Sequence, residues 1–280
     1  MEKRHIDVAV LSDLHLGTYG CRAKEIVTYL KSISPRILIL NGDIIDIWQI
    51  SKRYFPASHA AVLKEIISLI TKGTKVVYIT GNHDEILRRY TDLSMGNFQL
   101  TDKLIIEIDK KMTWIFHGDV FDNTTKGTAK LWAKMGSNGY AVLLQFNKLI
   151  NFFMKLIGRE RVSLSKKVMA SVNKAVIKIN DFETTAAEIA IEKKYDYVIC
   201  GHIHQPQKRV ISNDQGSVVY LNSGDWVEHL TALEYYENDW HIYTYDEAIM
   251  KTVEPRELKI KTETDVITAE IALYLHSLGA

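Results

Sequence analysis

The sequence predicts an α/β protein with a parallel sheet in its first half and a second, more antiparallel sheet toward its end. Three observations carry this expectation. Short apolar strands alternate with helical stretches over residues 6–82, and strands joined by helical crossovers pair in parallel. Two strand-like runs, 104–111 and 112–119, meet through an Asp-Lys-Lys turn. Short β-rich runs separated by turn residues then fill 195–246.

Taken in order, IDVAVLSD (6–13) reads as a strand and 22–33 as an amphipathic helix. RILILNGD (36–43) is a second strand, HAAVLKEIISLITK (59–72) a helix, and KVVYITGN (75–82) a third strand. LIIEIDKK (104–111) and MTWIFHGD (112–119) follow as neighbours. YDYVICGH (195–202), SVVYLNSGDW (217–226), LTALEYY (230–236) and WHIYTYD (240–246) form the expected antiparallel group. Between them, residues 124–192 lack strand signals and read as a helical insertion. From 124 to 178 this insertion holds eleven Lys and Arg residues against the single acid Glu160, so a near-neutral chain concentrates its positive charge there. Within it, 140–158 is apolar over most of a helical circumference, with Asn147, Lys148, Asn151 and Lys155 on a narrow polar face. The division expected is a main domain over 1–250, containing the insertion, and a helical tail over 251–280.

Composition narrows the class. At 280 residues and 46% hydrophobic content the chain can bury a large core. A net charge of +1 provides no global field for nucleic acid. Cys21 and Cys200 cannot make a disulfide framework, which fits a reducing compartment, and Cys200 reads as a small buried hydrophobe. The N-terminus has no apolar stretch followed by a small-residue cleavage site, and no uncharged apolar run reaches the about 18 residues of a membrane span. A cytoplasmic protein is expected.

Five strand ends share one chemistry. They carry Asp13-Leu14-His15, Gly42-Asp43, Gly81-Asn82-His83-Asp84, His117-Gly118-Asp119 and Gly201-His202-Ile203-His204. Ligands of α/β sheets gather outside the carboxyl ends of strands, so these residues face one crevice. Alternation along an extended chain also sends His202 and His204 to the same side. Two carboxylates, four imidazoles and one amide, with no thiolate, suit Mn, Fe or Zn ions held by nitrogen and oxygen. Seven ligands exceed one tetrahedral ion and suit two sharing a carboxylate. Two such ions roughly 3.5–4 Å apart clamp the oxygens of a displacement at phosphorus. Asp46 and Asp119 read as turn-forming carboxylates, while Asp225 and Trp226 either flank the site or close a turn.

DLH, GDIID, GNHD, HGD and GHIH, in this order over most of residues 6–246, resemble the motifs of the calcineurin-like metallophosphoesterases. The resemblance implies a four-layer α/β/β/α sandwich of two mixed sheets, with the helical insertion forming a cap after HGD. It implies two divalent metal ions, manganese first and iron or zinc as alternatives, with a bridging hydroxide as nucleophile. Asp13, His15, Asp43 and His204 would hold one ion, and Asp43, Asn82, His117 and His202 the other. His83 matches the histidine placed near the leaving group, and Asp84 would orient it.

GDIIDIW, the insertion position and the length are further similar to the UDP-2,3-diacylglucosamine hydrolase (diphosphatase) branch, whose members serve lipid A synthesis as peripheral cytoplasmic enzymes. That likeness implies cleavage to UMP and 2,3-diacylglucosamine 1-phosphate, a lipid-linked nucleotide substrate, and contact of the insertion with the inner membrane face. The chain departs from that branch at His83, where its members carry arginine. A nuclease or nucleotide phosphodiesterase is the second enzyme reading, with nucleic acid the less favoured partner. A metal-free scaffold is the non-enzyme reading; missing ligands are its expected feature, and all seven positions are filled.

Overall fold

Alternation of apolar side chains explains which strands form and what each face buries. The computed structural model describes residues 3–47, 54–124 and 182–246. In β1 (Arg4–Leu11), Val8 and Val10 point one way, Ala9 and Leu11 the other, and all four are buried. A strand covered on both faces belongs inside a sheet. β1 indeed pairs in parallel with β2 (Ile33–Asn41), and β2 with β3 (Lys75–Ile79), in the registers Val8↔Ile37 and Ile39↔Val77.

The crossovers are α1 (Ala23–Ser32) and α2 (Ala57–Thr71). Ala23, Ile26, Tyr29 and Leu30 form the buried stripe of α1, and His59, Val62, Ile66 and Leu69 that of α2, each at helical spacing. α2 stops at Lys72-Gly73, where Gly73 takes the left-handed φ of 98° common just past a helix end. Beyond β3 run β4 (Ser94–Met95), β5 (Phe98–Thr101), β6 (Lys103–Ile108), β7 (Lys111–Phe116), β8 (Tyr197–Cys200), β9 (Gln207–Asn213), β10 (Gly216–Asn222), β11 (Thr231–Tyr236) and β12 (Asp239–Thr244).

Two mixed sheets result, with strand orders β12-β11-β1-β2-β3-β5-β4 and β6-β7-β8-β10-β9. The mixed α/β class is as expected, but the allocation of strands differs. β11 and β12 do not join the second sheet; β11 pairs antiparallel with β1, Val8 opposite Tyr235. Thr231 to Tyr235 are all buried, so β11 needs cover on both faces, and its place beside β1 provides it. Ala232 packs with the helices, whereas Leu233 and Tyr235 face the second sheet. The 104–116 hairpin goes to the second sheet instead, where β7 pairs in parallel with β8. Two hairpins turn through paired left-handed residues, Asp109-Lys110 and Glu237-Asn238, a geometry that matches strand twist. β9, with its polar QKRVISN sequence, and the short pair β4–β5 were not expected; neither carries a strong apolar alternation.

Three apolar clusters hold these elements. Leu38, Leu40, Val76 and Tyr78 pack beneath α1 and α2. Val8, Val10, Ile39, Val77 and Ile79 meet Ile115, Ile199 and Leu221 between the sheets. Phe116, Val198, Cys200 and Tyr220 cover the far face of the second sheet together with Ala186, Ala187 and Ala190, from a helix over 182–192. The basic and apolar part of the expected insertion (125–181) and the tail 251–280 lie outside the described residues. No helix among the described residues is long and apolar enough to cross a membrane.

Ile199 is wholly buried between the sheets. Ile199→Ala is expected to cost about 2–5 kcal/mol, read as a lower urea midpoint at unchanged slope.

Candidate metal centre

The candidate ligands follow directly on the ends of β1, β2, β3, β7 and β8, so the packing of the two sheets delivers them to one rim. The loops are knitted by backbone hydrogen bonds. Asp13 N–H donates to Gly42 O (3.1 Å), His15 N–H to Asp43 O (3.0 Å), and Gly201 N–H to His117 O (2.9 Å). Asp13, His15, Asp43, His202 and His204 all sit at left-handed φ, between 50° and 66°. Side-chain-bearing residues avoid that region, and clusters of such conformations mark sites where the surroundings impose them. Two glycines make the approach possible. A Cβ on Gly42 would overlap the His117 ring, and one on Gly81 would run into the Asp43 carboxylate and stand 2.6 Å from its backbone nitrogen.

The side chains gather into three groups whose ligand atoms lie within 4.8 Å of one another: Asp13, His15 and His204; Asp43, His117 and His202; and His15, Asp43 and His83. Asp43 belongs to two of them. Asn82 lies on the same loop, between Gly81 and His83, whose N–H donates to Asp43 Oδ1 at 2.8 Å. The arrangement fits cations. Among the described residues, the buried Asp13 Oδ1 and His117 Nε2 have no hydrogen-bond partner. Both point at ionisable groups instead, Asp13 Oδ1 at His204 Nε2 (3.1 Å) and His117 Nε2 at Asp43 Oδ2 (3.4 Å). His117 Nδ1–H donates to Asn41 O at 2.8 Å, which turns Nε2 toward the shared space.

Electrostatics follow from burial. Desolvation by itself would lower the pKa of His117 and of His204. The carboxylates of Asp43 and Asp13 outweigh it, pushing His117 up to about 10 and His204 to about 11. Reciprocally, Asp43 and Asp13 are held below the ordinary carboxylate range by these imidazoles, against the opposing effect of burial. In the metal-free chain, protons on imidazoles therefore balance two buried carboxylates.

His83 and Asp84 differ from expectation in how they are linked. Asp84 does not orient the His83 ring. Its carboxylate accepts from Gly81 N–H (2.6 Å), Ile44 N–H (3.0 Å) and Tyr78 Oη–H (2.6 Å), bracing the loop beneath the site. Adjacent side chains diverge, and Asp84 turns inward as the 3-10 turn Glu85–Tyr90 begins. The orienting carboxylate is Asp46, whose Oδ2 lies 2.8 Å from His83 Nδ1 and 3.6 Å from His15 Nδ1. Its signal in the sequence is a second acid three residues beyond Asp43; the local turn reading gave it no reason to be buried. Asp119 likewise holds a side chain, Arg88, whose Nη2 donates at 2.6 Å. Asp225 does both of the things the sequence left open, closing a turn and standing beside His204.

The raised histidines dictate a pH dependence. A folded pKa above the unfolded value of about 6.5 stabilises fully below that pH, and the contribution is lost as pH rises through the folded pKa. The metal-free protein is thus expected to melt at progressively lower temperature from about pH 6.5 toward pH 10. With saturating Mn²⁺, which binds neutral imidazoles, the ion's stabilisation should grow over the same range; thermal melts with and without chelator check this. Separately, Asp46→Asn is expected to lower kcat on bis(p-nitrophenyl) phosphate about 10–100-fold, measured at saturating metal.

Comparison with known proteins agrees with this chemistry. A UDP-2,3-diacylglucosamine hydrolase of Wigglesworthia glossinidia brevipalpis is 26% identical over 242 residues, covering 80% of this chain and 88% of that protein. One from Nitrosococcus oceani is 25% identical over 236 residues, covering 82% and 92%. A solved archaeal phosphodiesterase aligns with 85% of this chain and 98% of its own at TM-score 0.39 and 14% identity, a likeness from which nothing further follows. Residues 6–206 match the calcineurin-like phosphoesterase family, from within β1 to just past His204. The chain belongs to that family and is a metal-dependent phosphoester hydrolase.

Proposed function

We propose that the chain hydrolyses the pyrophosphate bond of UDP-2,3-diacylglucosamine, giving UMP and 2,3-diacylglucosamine 1-phosphate, the step that serves lipid A synthesis. The observation that carries this is the similarity, over about four-fifths of the chain, to proteins named for that hydrolysis. The segment 124–192 supports it, pairing a concentration of basic side chains with an apolar run, as a substrate anionic at one end and acylated at the other requires. The same segment would take the acyl chains and bring a cytoplasmic enzyme to the inner membrane face.

Asp13, His15, Asp43 and His204 would hold one divalent ion, and Asp43, Asn82, His117 and His202 a second, with manganese the first choice for this nitrogen and oxygen set. Ions bound there would supply Lewis acidity toward the phosphoryl oxygens and toward water. The protein's own groups do the rest. The His83 ring is partly exposed, with Nδ1–H donated to Asp46 and Nε2 3.9 Å from Asp43 Oδ2. Burial lowers its pKa, but Asp46, and then Asp43 and Asp13, more than offset this, and its place beside these groups suits it to give a proton to the departing oxygen.

His83 in place of arginine favours a second reading, a broader nucleotide phosphodiesterase, because an imidazole lacks the planar fork that grips a phosphate. Assays of UDP-2,3-diacylglucosamine against the non-acylated UDP-sugar separate the two. The acylated substrate is expected to have a kcat/KM at least about tenfold higher, since each buried CH2 is worth about 0.8 kcal/mol. Equal turnover of both substrates would remove the lipid reading and leave the phosphodiesterase.

A further inference from the structure

We propose that Asp225 is the positioning residue of the Asp13–His15–His204 ion site, holding His204 with Nδ1–H turned into the protein and Nε2 toward the ion. The inference rests on those three residues taking an ion. Asp225 Oδ2 lies 3.5 Å from His204 Nδ1, while His204 Nε2 lies 3.1 Å from Asp13 Oδ1. A carboxylate only accepts, so the nitrogen facing Asp225 carries a hydrogen, and when an ion displaces the proton from Nε2 beside Asp13, it is Nε2 that offers the lone pair.

His204 needs such a partner more than His117 does. The His117 side chain is 0% exposed and already donates to Asn41 O, whereas the His204 side chain is 36% exposed, with less packing to fix its ring. Asp225 itself does not depend on His204 for its place. It is fully buried, and its Oδ1 accepts from the N–H groups of Val227 (2.7 Å), Glu228 (2.5 Å) and His229 (3.2 Å). Its Oδ2 accepts from His229 Nδ1 at 2.7 Å. The carboxylate is thus immobilised before it meets His204, which is what a positioning group requires.

The segment around it is registered on the other ligands of the same ion. Trp226 N–H donates to Asp13 O (3.2 Å), Ser12 Oγ to Gly224 O (3.0 Å), and Ser223 N–H to Cys200 O (3.1 Å). The NSGDW stretch therefore spans from the strand end bearing Asp13 and His15 to the one leading into His202 and His204. Asp225 sets His204 relative to Asp13, and not merely relative to its own loop.

Asp225→Asn tests this. The asparagine oxygen can still cap the turn, but its amide then faces His204 Nδ1 and demands an acceptor there, moving the hydrogen to Nε2 and closing that nitrogen to an ion. Calorimetric titration of the metal-free protein with Mn²⁺ is expected to show one of two sites weakened about 10–100-fold and the other unchanged. His229→Ala, which removes the neighbour on the same oxygen and leaves the His204 contact, is expected to lower the melting temperature without weakening either site. Two wild-type affinities in Asp225→Asn would overturn the assignment. Should Asp225→Asn not fold, ¹⁵N–¹H spectra of the wild-type protein loaded with diamagnetic Zn²⁺ decide: ligation through Nε2 with Nδ1–H retained supports it, and ligation through Nδ1 overturns it. Absence of ion binding by the wild-type protein would instead count against the two-ion reading itself.

Discussion

Two buried carboxylates, Asp13 and Asp43, set the terms for everything around them. Neither is exposed enough for water to solvate it, and burying an ionised carboxylate without compensation is prohibitively costly. Compensation comes from imidazoles and backbone N–H groups: His204 and His202 N–H for Asp13, His117 and His83 N–H for Asp43. In the metal-free chain, raised histidine pKa values are the signature of this balance. Divalent cations answer the same need with greater charge and no proton, so a negative, nitrogen-rich and largely dry rim is suited to them.

Bringing so many groups to one place costs backbone strain, and the fold is arranged to absorb it. Five candidate ligands adopt left-handed φ, each just beyond a strand whose residues are buried on both faces. Such conformations persist only where the surroundings over-determine them. Here the strands are locked by three apolar clusters, and the loops by hydrogen bonds from Asp13 to Gly42, His15 to Asp43 and Gly201 to His117. The antiparallel return of β11 beside β1 adds to this, because it seats the NSGDW segment against the DLH loop.

Around the candidate ligands stands a ring of acceptors with separate tasks. Asp46 serves His83 and His15, Asp225 serves His204, and the Asn41 carbonyl serves His117. Asp84 serves the backbone, tying the GNHD loop to the residue after Asp43. Each acceptor decides which ring nitrogen faces the centre, and the centre's chemistry depends on that choice as much as on the identity of the ligands.

The amino-acid sequence alone determined the strand ends and the donors they carry. Period-two apolar runs closing on glycine, aspartate and histidine are local patterns, and Asp13, His15, Asp43, His83, His117, His202 and His204 come together in the structure as that pattern implies. The parallel core β1-β2-β3 was legible for the same reason, since its crossover helices follow in sequence. Tertiary structure decided what depends on partners distant along the chain. β11 lies in the first sheet, paired with β1, a neighbour far away along the chain that local sequence does not name. His83 leans on Asp46, 37 residues away, and not on the adjoining Asp84, because neighbouring side chains diverge while separate loops converge. Hydrogen-bond direction and burial are properties of the assembled rim, and no single segment contains them.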